Sequence, residues 1–164
     1  MKPLVSIIMG SVSDLPFMTE TKMILDEFKV PYETMVLSAH RSPRATSGYT
    51  KKLRGRGVKV IIAGAGGAAH LPGVVASYTI LPVIGVPVFT RVFRGLDSAL
   101  SILQMPGGIP VATMAVGKGG AVNAAILAVE ILALGNCRLA GKLEVYKKSL
   151  VKKVKAAQKK INGS

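Results

Sequence analysis

The chain has 164 residues, 22 Lys and Arg against 8 Asp and Glu, and 49% hydrophobic residues; that is enough for one ordinary domain burying about two-thirds of its unfolded surface unaided. A single cysteine, Cys137, excludes an internal disulfide framework, and with only two histidines it cannot supply the usual four-ligand zinc site, so no metal is expected. The longest stretch free of charged side chains, residues 60–90, holds five glycines and three prolines, which break a helix before it spans a bilayer core of about 30 Å.

In chain order, the apolar run 4–9 predicts a first strand. It leaves no room for the apolar segment of a secretory signal, so the chain reads as cytoplasmic. Ser13 and Asp14 can cap a helix that accepts Pro16 in its first turn, carries Phe17, Ile24, Leu25 and Phe28 at helical spacing, and stops before Pro31. Residues 32–37 predict a second strand, and Pro43 starts a helix ending near Gly55 and Gly57. A third strand over 58–63 precedes a helix opening around His70, a fourth over 82–88 precedes a helix over 96–104, and a fifth over 111–116 precedes one over 121–134. Strands alternating with helices mean βαβ units. Five strands rather than six predict an α/β fold, a three-layer flavodoxin-like doubly wound parallel sheet.

The end of the chain differs in kind. Leu139, Leu143, Tyr146, Leu150, Val154, Ala157 and Ile161 step by fours and threes, and most lysines lie off that stripe, as in a long amphipathic helix. Residues 138–164 carry nine basic side chains and one acid, Glu144, so +8 of the net +14 sits here. The chain therefore divides into a catalytic domain over 1–137 and a basic helix over 138–164. The helix is expected to pack its stripe on a neighbouring subunit and turn its lysines to water.

In open α/β sheets, ligands bind beyond the carboxyl ends of the strands, and three such junctions are unusual. After the first strand, Gly10-Ser11-Val12-Ser13-Asp14 joins a glycine, two hydroxyls and a carboxylate at a helix start. Backbone N–H groups there attract anions, and Asp14 can bind sugar hydroxyls, although Ser13 and Asp14 equally suit a plain helix cap. After the second strand, Ser38-Ala39-His40-Arg41 sets a histidine, able to give and take a proton near neutral pH, beside an arginine whose planar fork suits phosphate or carboxylate. After the third, residues 64–73 hold four glycines, Ala65, Ala68, Ala69, His70 and Leu71. This run contains a G-x-G-x-x-A pattern, but no acid lies between Glu33 and Asp97 to hold a dinucleotide ribose. It reads instead as small residues that admit a flat ligand, with His70 a structural histidine or a neighbour of the reacting groups. There is no P-loop, no G-x-S-x-G elbow and no close carboxylate pair, which removes kinase, serine hydrolase and glycosidase readings. A small anionic, phosphorylated ligand around His40 remains.

The strings MGSVSDLPFM, SAHRSP, IIAGAGGAAHLPGVVASYTILPVIGVPV, GLDSALSILQMPGGIPVATMAVG and NAAILAVEIL, in this order over residues 4–134, resemble the successive blocks of the PurE family of purine biosynthesis. The third block is similar to the N5-carboxyaminoimidazole ribonucleotide mutase branch rather than to the carboxylases that use free CO2. The resemblance implies a flavodoxin-like fold, a homo-octamer with active sites at subunit contacts, a ribonucleotide substrate, and no metal, ATP or organic cofactor. It makes His40 the general acid/base and gives Arg41 the substrate's anionic group. Ser11, Ser13 and Asp14 go to the ribose and phosphate region, and Ser38, Ala39, Gly66, Ala68, Ala69 and Leu71 to the base and carboxylate pocket. Ser42, Leu15 and the pair Phe93-Arg94 depart from the family's usual residues, and Arg94 bears on the contacts of its loop with substrate.

Two rivals come from the charge. A nucleic-acid-binding module would suit a pI of about 10.2, but the chain has no Trp and eight aromatics in all, without a basic sheet for stacking bases. A membrane-surface helix would want Trp or Phe on its apolar stripe, where Tyr146 is the sole aromatic. Neither nucleic acid nor membrane is therefore expected as a partner. The acid-free stretch 34–96, with nine basic side chains including Arg41, instead gives a positive field that would draw an anionic substrate.

Overall fold

The computed structural model of the chain describes residues 2–161 and 163. Five parallel strands, β1 (Val5–Met9), β2 (Tyr32–Val36), β3 (Val60–Ala65), β4 (Val83–Pro87) and β5 (Ala112–Thr113), form one sheet in the order β2-β1-β3-β4-β5. This is the flavodoxin-like order, in which the winding direction reverses between β1 and β3. Helices α1 (Leu15–Phe28), α5 (Lys118–Ala133) and α6 (Cys137–Ile161) share one core with one face of the sheet; α2 (Pro43–Leu53), α3 (Leu71–Ser77) and α4 (Leu96–Leu103) share the other.

The strand sequences follow from this double cover. Val5, Ile7, Ile8 and Met9 of β1 and Val60, Ile61, Ile62 and Ala63 of β3 are at most 1% exposed, so apolar side chains face both helix layers, and the equally buried Ser6 of β1 keeps a hydrogen-bond partner. Each such Ile or Val stabilises the fold by about 1.5–3 kcal/mol relative to exposure. β2, paired only with β1, is an edge strand and is half-buried to exposed along its length.

Three of the boundaries that differ from the sequence reading do so for a clear local reason. β3 runs two residues later than predicted, because the Val58 N–H closes the end of α2 on Leu53 O at 3.2 Å and is not available to the ladder. β5 keeps only two of the six predicted residues, since it pairs with β4 alone through Ile84↔Ala112 and Gly85↔Thr113. α5 starts at Lys118 and not at residue 121, because Gly119 and Gly120 join the helix and Gly120 packs directly on the Ala115 backbone.

Two polar ties hold the layers together, one from a helix to the sheet and one from helix to helix. The Tyr49 hydroxyl of α2 donates to Glu33 Oε1 of β2 at 2.8 Å and lies 2.8 Å from Ser6 Oγ in β1, while Arg56 pairs with Glu33. Burial pushes the Tyr49 phenol up to about 12, so it stays neutral across the physiological range. Lys142 of α6 donates to Phe28 O at 2.6 Å, at the end of α1. Leu139 and Leu143 are buried with β1 and α5, and Tyr146 rests on Phe28, whereas Leu150, Val154 and Ile161 further along the same stripe are exposed. Among the described residues, no helix is long and apolar enough to cross a membrane.

Candidate active site

The carboxyl ends of β1 to β4 open into a cavity of about 470 Å³, within the range of small-molecule sites. It lies at the reversal between β1 and β3. The loop after β1 makes a single 3₁₀ turn, Val12–Asp14, before α1. Ser11, not Ser13, caps this turn: its Oγ accepts from the Ser13 N–H at 3.3 Å, and Asp14 reaches back to accept from the Ser11 N–H at 3.1 Å. Asp14 thus does not cap α1, where its side chain makes no capping bond. Its burial lifts the carboxyl pKa above its ordinary value, although the Ser11 and Gly10 N–H groups and the Ser13 hydroxyl favour the anion. Ser13 itself is exposed at the cavity wall.

After β2 the chain folds back tightly. Ser38 Oγ accepts from the Arg41 N–H at 3.1 Å, and the Ser42 hydroxyl accepts from the Ser38 N–H at 3.0 Å while donating to Ser38 O at 3.1 Å. This turn ends at Pro43, the first residue of α2, and it projects Ala39, His40 and Arg41 into the cavity. The Arg41 guanidinium reaches across to donate to Gly10 O at 3.2 Å, joining the β1 and β2 junctions. It remains exposed, so most of its donor fork is free for an anion.

The third wall is the loop after β3. Gly66 and Ala68 are exposed to the cavity, Ala69 and Leu71 form its buried side, and Gly67 turns the chain with a φ of +69° that favours glycine. His70 lies 2.7 Å from His40, Nδ1 to Nε2, with the rings nearly perpendicular at 73°. One of these nitrogens must carry the proton and the other accept it, which fixes the orientation of the His40 ring. Every residue singled out from the sequence, Ser11, Ser13, Asp14, Ser38, Ala39, His40, Arg41, Gly66, Ala68, Ala69 and Leu71, lines this one cavity.

Phe17 on α1, which nothing in the sequence marks for the site, and Val88, Phe89 and Thr90 at the start of the loop after β4 close the fourth side. The position of Phe89 and Thr90 immediately after the predicted strand 82–88 is a usable signal, but no charged or catalytic side chain marks it. Among the described residues, Asp14 is the only acid lining the cavity, alongside Arg41 and two histidines, a balance that suits an anionic ligand with hydroxyl groups. Among the described residues, no three His, Cys, Asp or Glu side chains are grouped to hold a metal ion.

A sequence model of the AIR carboxylase family matches residues 4–153. The chain belongs to this family. It is 56% identical over 160 residues to the N5-carboxyaminoimidazole ribonucleotide mutase of Pyrococcus horikoshii, covering 98% of this chain and 89% of that one. It is 59% identical over 144 residues to the mutase of the same name from Bacillus subtilis, covering 88% and 89%. The crystal structure of Treponema denticola PurE superposes with a TM-score of 0.85 at 30% identity, over 93% of this chain and 94% of that one.

Proposed function

We propose that the protein is a mutase of de novo purine biosynthesis that converts N5-carboxyaminoimidazole ribonucleotide to 4-carboxy-5-aminoimidazole ribonucleotide. The observation that carries this reading is the convergence of His40, Arg41, Asp14 and the small-residue loop 66–69 on one cavity, in a chain whose relatives bear the mutase name. Ser11, Ser13 and Asp14 take the ribose and phosphate region, and Arg41 takes an anionic group. Ser38, Ala39, Gly66, Ala68, Ala69 and Leu71 surround the base and the migrating carboxylate.

The reaction then needs one proton carrier. Protonated His40 donates to the carbamate nitrogen as the N–C bond breaks, leaving CO2 beside the neutral aminoimidazole. The nucleophilic ring carbon 4 attacks that CO2, and neutral His40 removes the carbon-4 proton. This restores both the aromatic ring and the histidine's starting charge, so no net proton is consumed. The walls hold CO2 near the nucleophile and keep water out, a task of proximity and desolvation.

The test is to supply the N-carboxylated substrate and, in parallel, aminoimidazole ribonucleotide at low bicarbonate. Rapid formation of the carbon-4 carboxylate from the first and slow formation from the second is the expected result. Turnover of the second alone would overturn the reading in favour of a carboxylase. The same reading places the enzyme in the cytoplasm as a homo-octamer, with the uncovered half of the α6 stripe, Leu150, Val154 and Ile161, packed on a neighbouring subunit. Light scattering of the full chain and of Val154→Glu checks this, an octamer that weakens in the variant being expected.

A further inference from the structure

The two walls formed by the loops after β3 and β4 are held together by a side chain outside the cavity. The β3–β4 ladder ends with Ala65↔Pro87 and a last rung from the Val88 N–H to Ala65 O at 2.9 Å. Beyond that point the chains diverge, one to Gly66, Ala68 and Ala69, the other to Phe89 and Thr90, and all five line the cavity. No backbone pairing can then set their separation. Ser98, in the first turn of α4 and 0% exposed, does so instead. Its Oγ accepts from the Gly67 N–H at 2.9 Å and donates to Val88 O at 2.8 Å. Both hydroxyl functions are used, one on each wall. Asp97 beside it accepts from Thr90 Oγ1 at 2.7 Å, and Thr90 Oγ1 accepts in turn from the Gly95 N–H at 3.1 Å, so the turn that holds Ser98 is itself fixed to the β4 loop.

We propose that Ser98 is a positioning residue for the carboxyl transfer, its buried hydroxyl setting the gap between the small-residue loop and the β4 loop in which CO2 is held during migration. The inference rests on the mutase reading above. Ser98 touches neither Arg41 nor the β1 loop through its two hydrogen bonds, so the groups that anchor the anionic part of the nucleotide are untouched by its loss. Removing the hydroxyl frees the positively turned Gly67 and lets the two walls move apart. Displacements of this kind, on the order of 1 Å, cost about 100-fold in rate.

The experiment compares Ser98→Ala and Ser98→Cys with the wild type on the N-carboxylated substrate, measuring kcat and KM per binding-competent subunit, as titrated with the carbon-4 carboxylate product. Ser98→Ala is expected to lower kcat about 10- to 100-fold with KM changed less than about threefold. Ser98→Cys, which keeps a weak donor and acceptor, falls between the two. A second readout is the release of 13C from a labelled carboxylate into bulk bicarbonate during turnover, expected to rise in Ser98→Ala. A kcat within about twofold of wild type, or a loss of melting temperature with unchanged kcat per competent subunit, overturns the positioning role, since a merely structural hydroxyl does no more than that. A wild type inactive on the N-carboxylated substrate overturns the mutase reading itself and the inference with it.

Discussion

Replacing each member of the His40–His70 pair by Asn separates proton transfer from ring orientation. The two rings share one hydrogen bond of 2.7 Å, both are exposed, and only His40 stands in the turn with Arg41. If His40 alone carries the proton, His40→Asn removes general acid–base catalysis, typically a loss of about 100- to 10,000-fold in kcat, or roughly 3–5 kcal/mol at the transition state. His70→Asn removes only an orienting hydrogen bond between exposed groups, worth about 0.5–1.5 kcal/mol, which limits the loss to about tenfold. Initial rates of carboxyl transfer at saturating N-carboxylated substrate measure both, with melting temperatures to show that both variants fold. The double variant should match His40→Asn, because the orienting bond has no effect once the proton carrier is gone. A His70→Asn loss as large as that of His40→Asn would refute the reasoning, since it would make the pair a relay in which both rings move the proton.

Arg41→Ala removes an exposed guanidinium that donates to Gly10 O at 3.2 Å and to Ser38 Oγ at 3.5 Å. Losing a charge-assisted bond of about 1.5–3 kcal/mol to an anionic ligand should raise KM by about 10- to 150-fold with little change in melting temperature, and an unchanged KM would remove its assigned role. Asp14 has a folded pKa raised by burial. Its contribution to stability is therefore fully present below the ordinary carboxylate pKa and lost as pH rises through the folded value. Asp14→Asn, which keeps an acceptor for the Ser11 N–H, should melt at or above the wild-type temperature at pH 7 while binding nucleotide more weakly; a lower melting temperature there would contradict this. Tyr49→Phe leaves the fully buried Ser6 hydroxyl without its partner and should cost about 1–3 kcal/mol, read as a lower denaturant midpoint, with equal midpoints counting against the tie.

By itself the sequence determined the alternation of strands and helices and the junctions where chemistry collects. A strand covered on both faces is apolar wherever no buried partner satisfies a polar group, as Tyr49 does for Ser6, so β1, β3 and β4 are visible as nearly continuous runs, and the residues immediately after them are named by local order alone. His40 and Arg41 stood out because a titratable and a charged group at such a junction have few structural uses, whereas Asp14 suited a helix cap equally well. The tail's periodicity was equally local. Tertiary structure alone decided what meets. The order β2-β1-β3 sets the loops carrying His40 and His70, 30 residues apart, on either side of β1, and only that brings the rings within 2.7 Å. It also aims Arg41 at Gly10 O, turns Asp14 back onto Ser11 rather than onto α1, and stations Ser98 between two walls. Ser98 carries no charge and belongs to no motif at the strand ends. Its significance lies in where two diverging chains need a cross-link, and that is fixed by the geometry at the carboxyl ends of β3 and β4 rather than by any pattern along the chain.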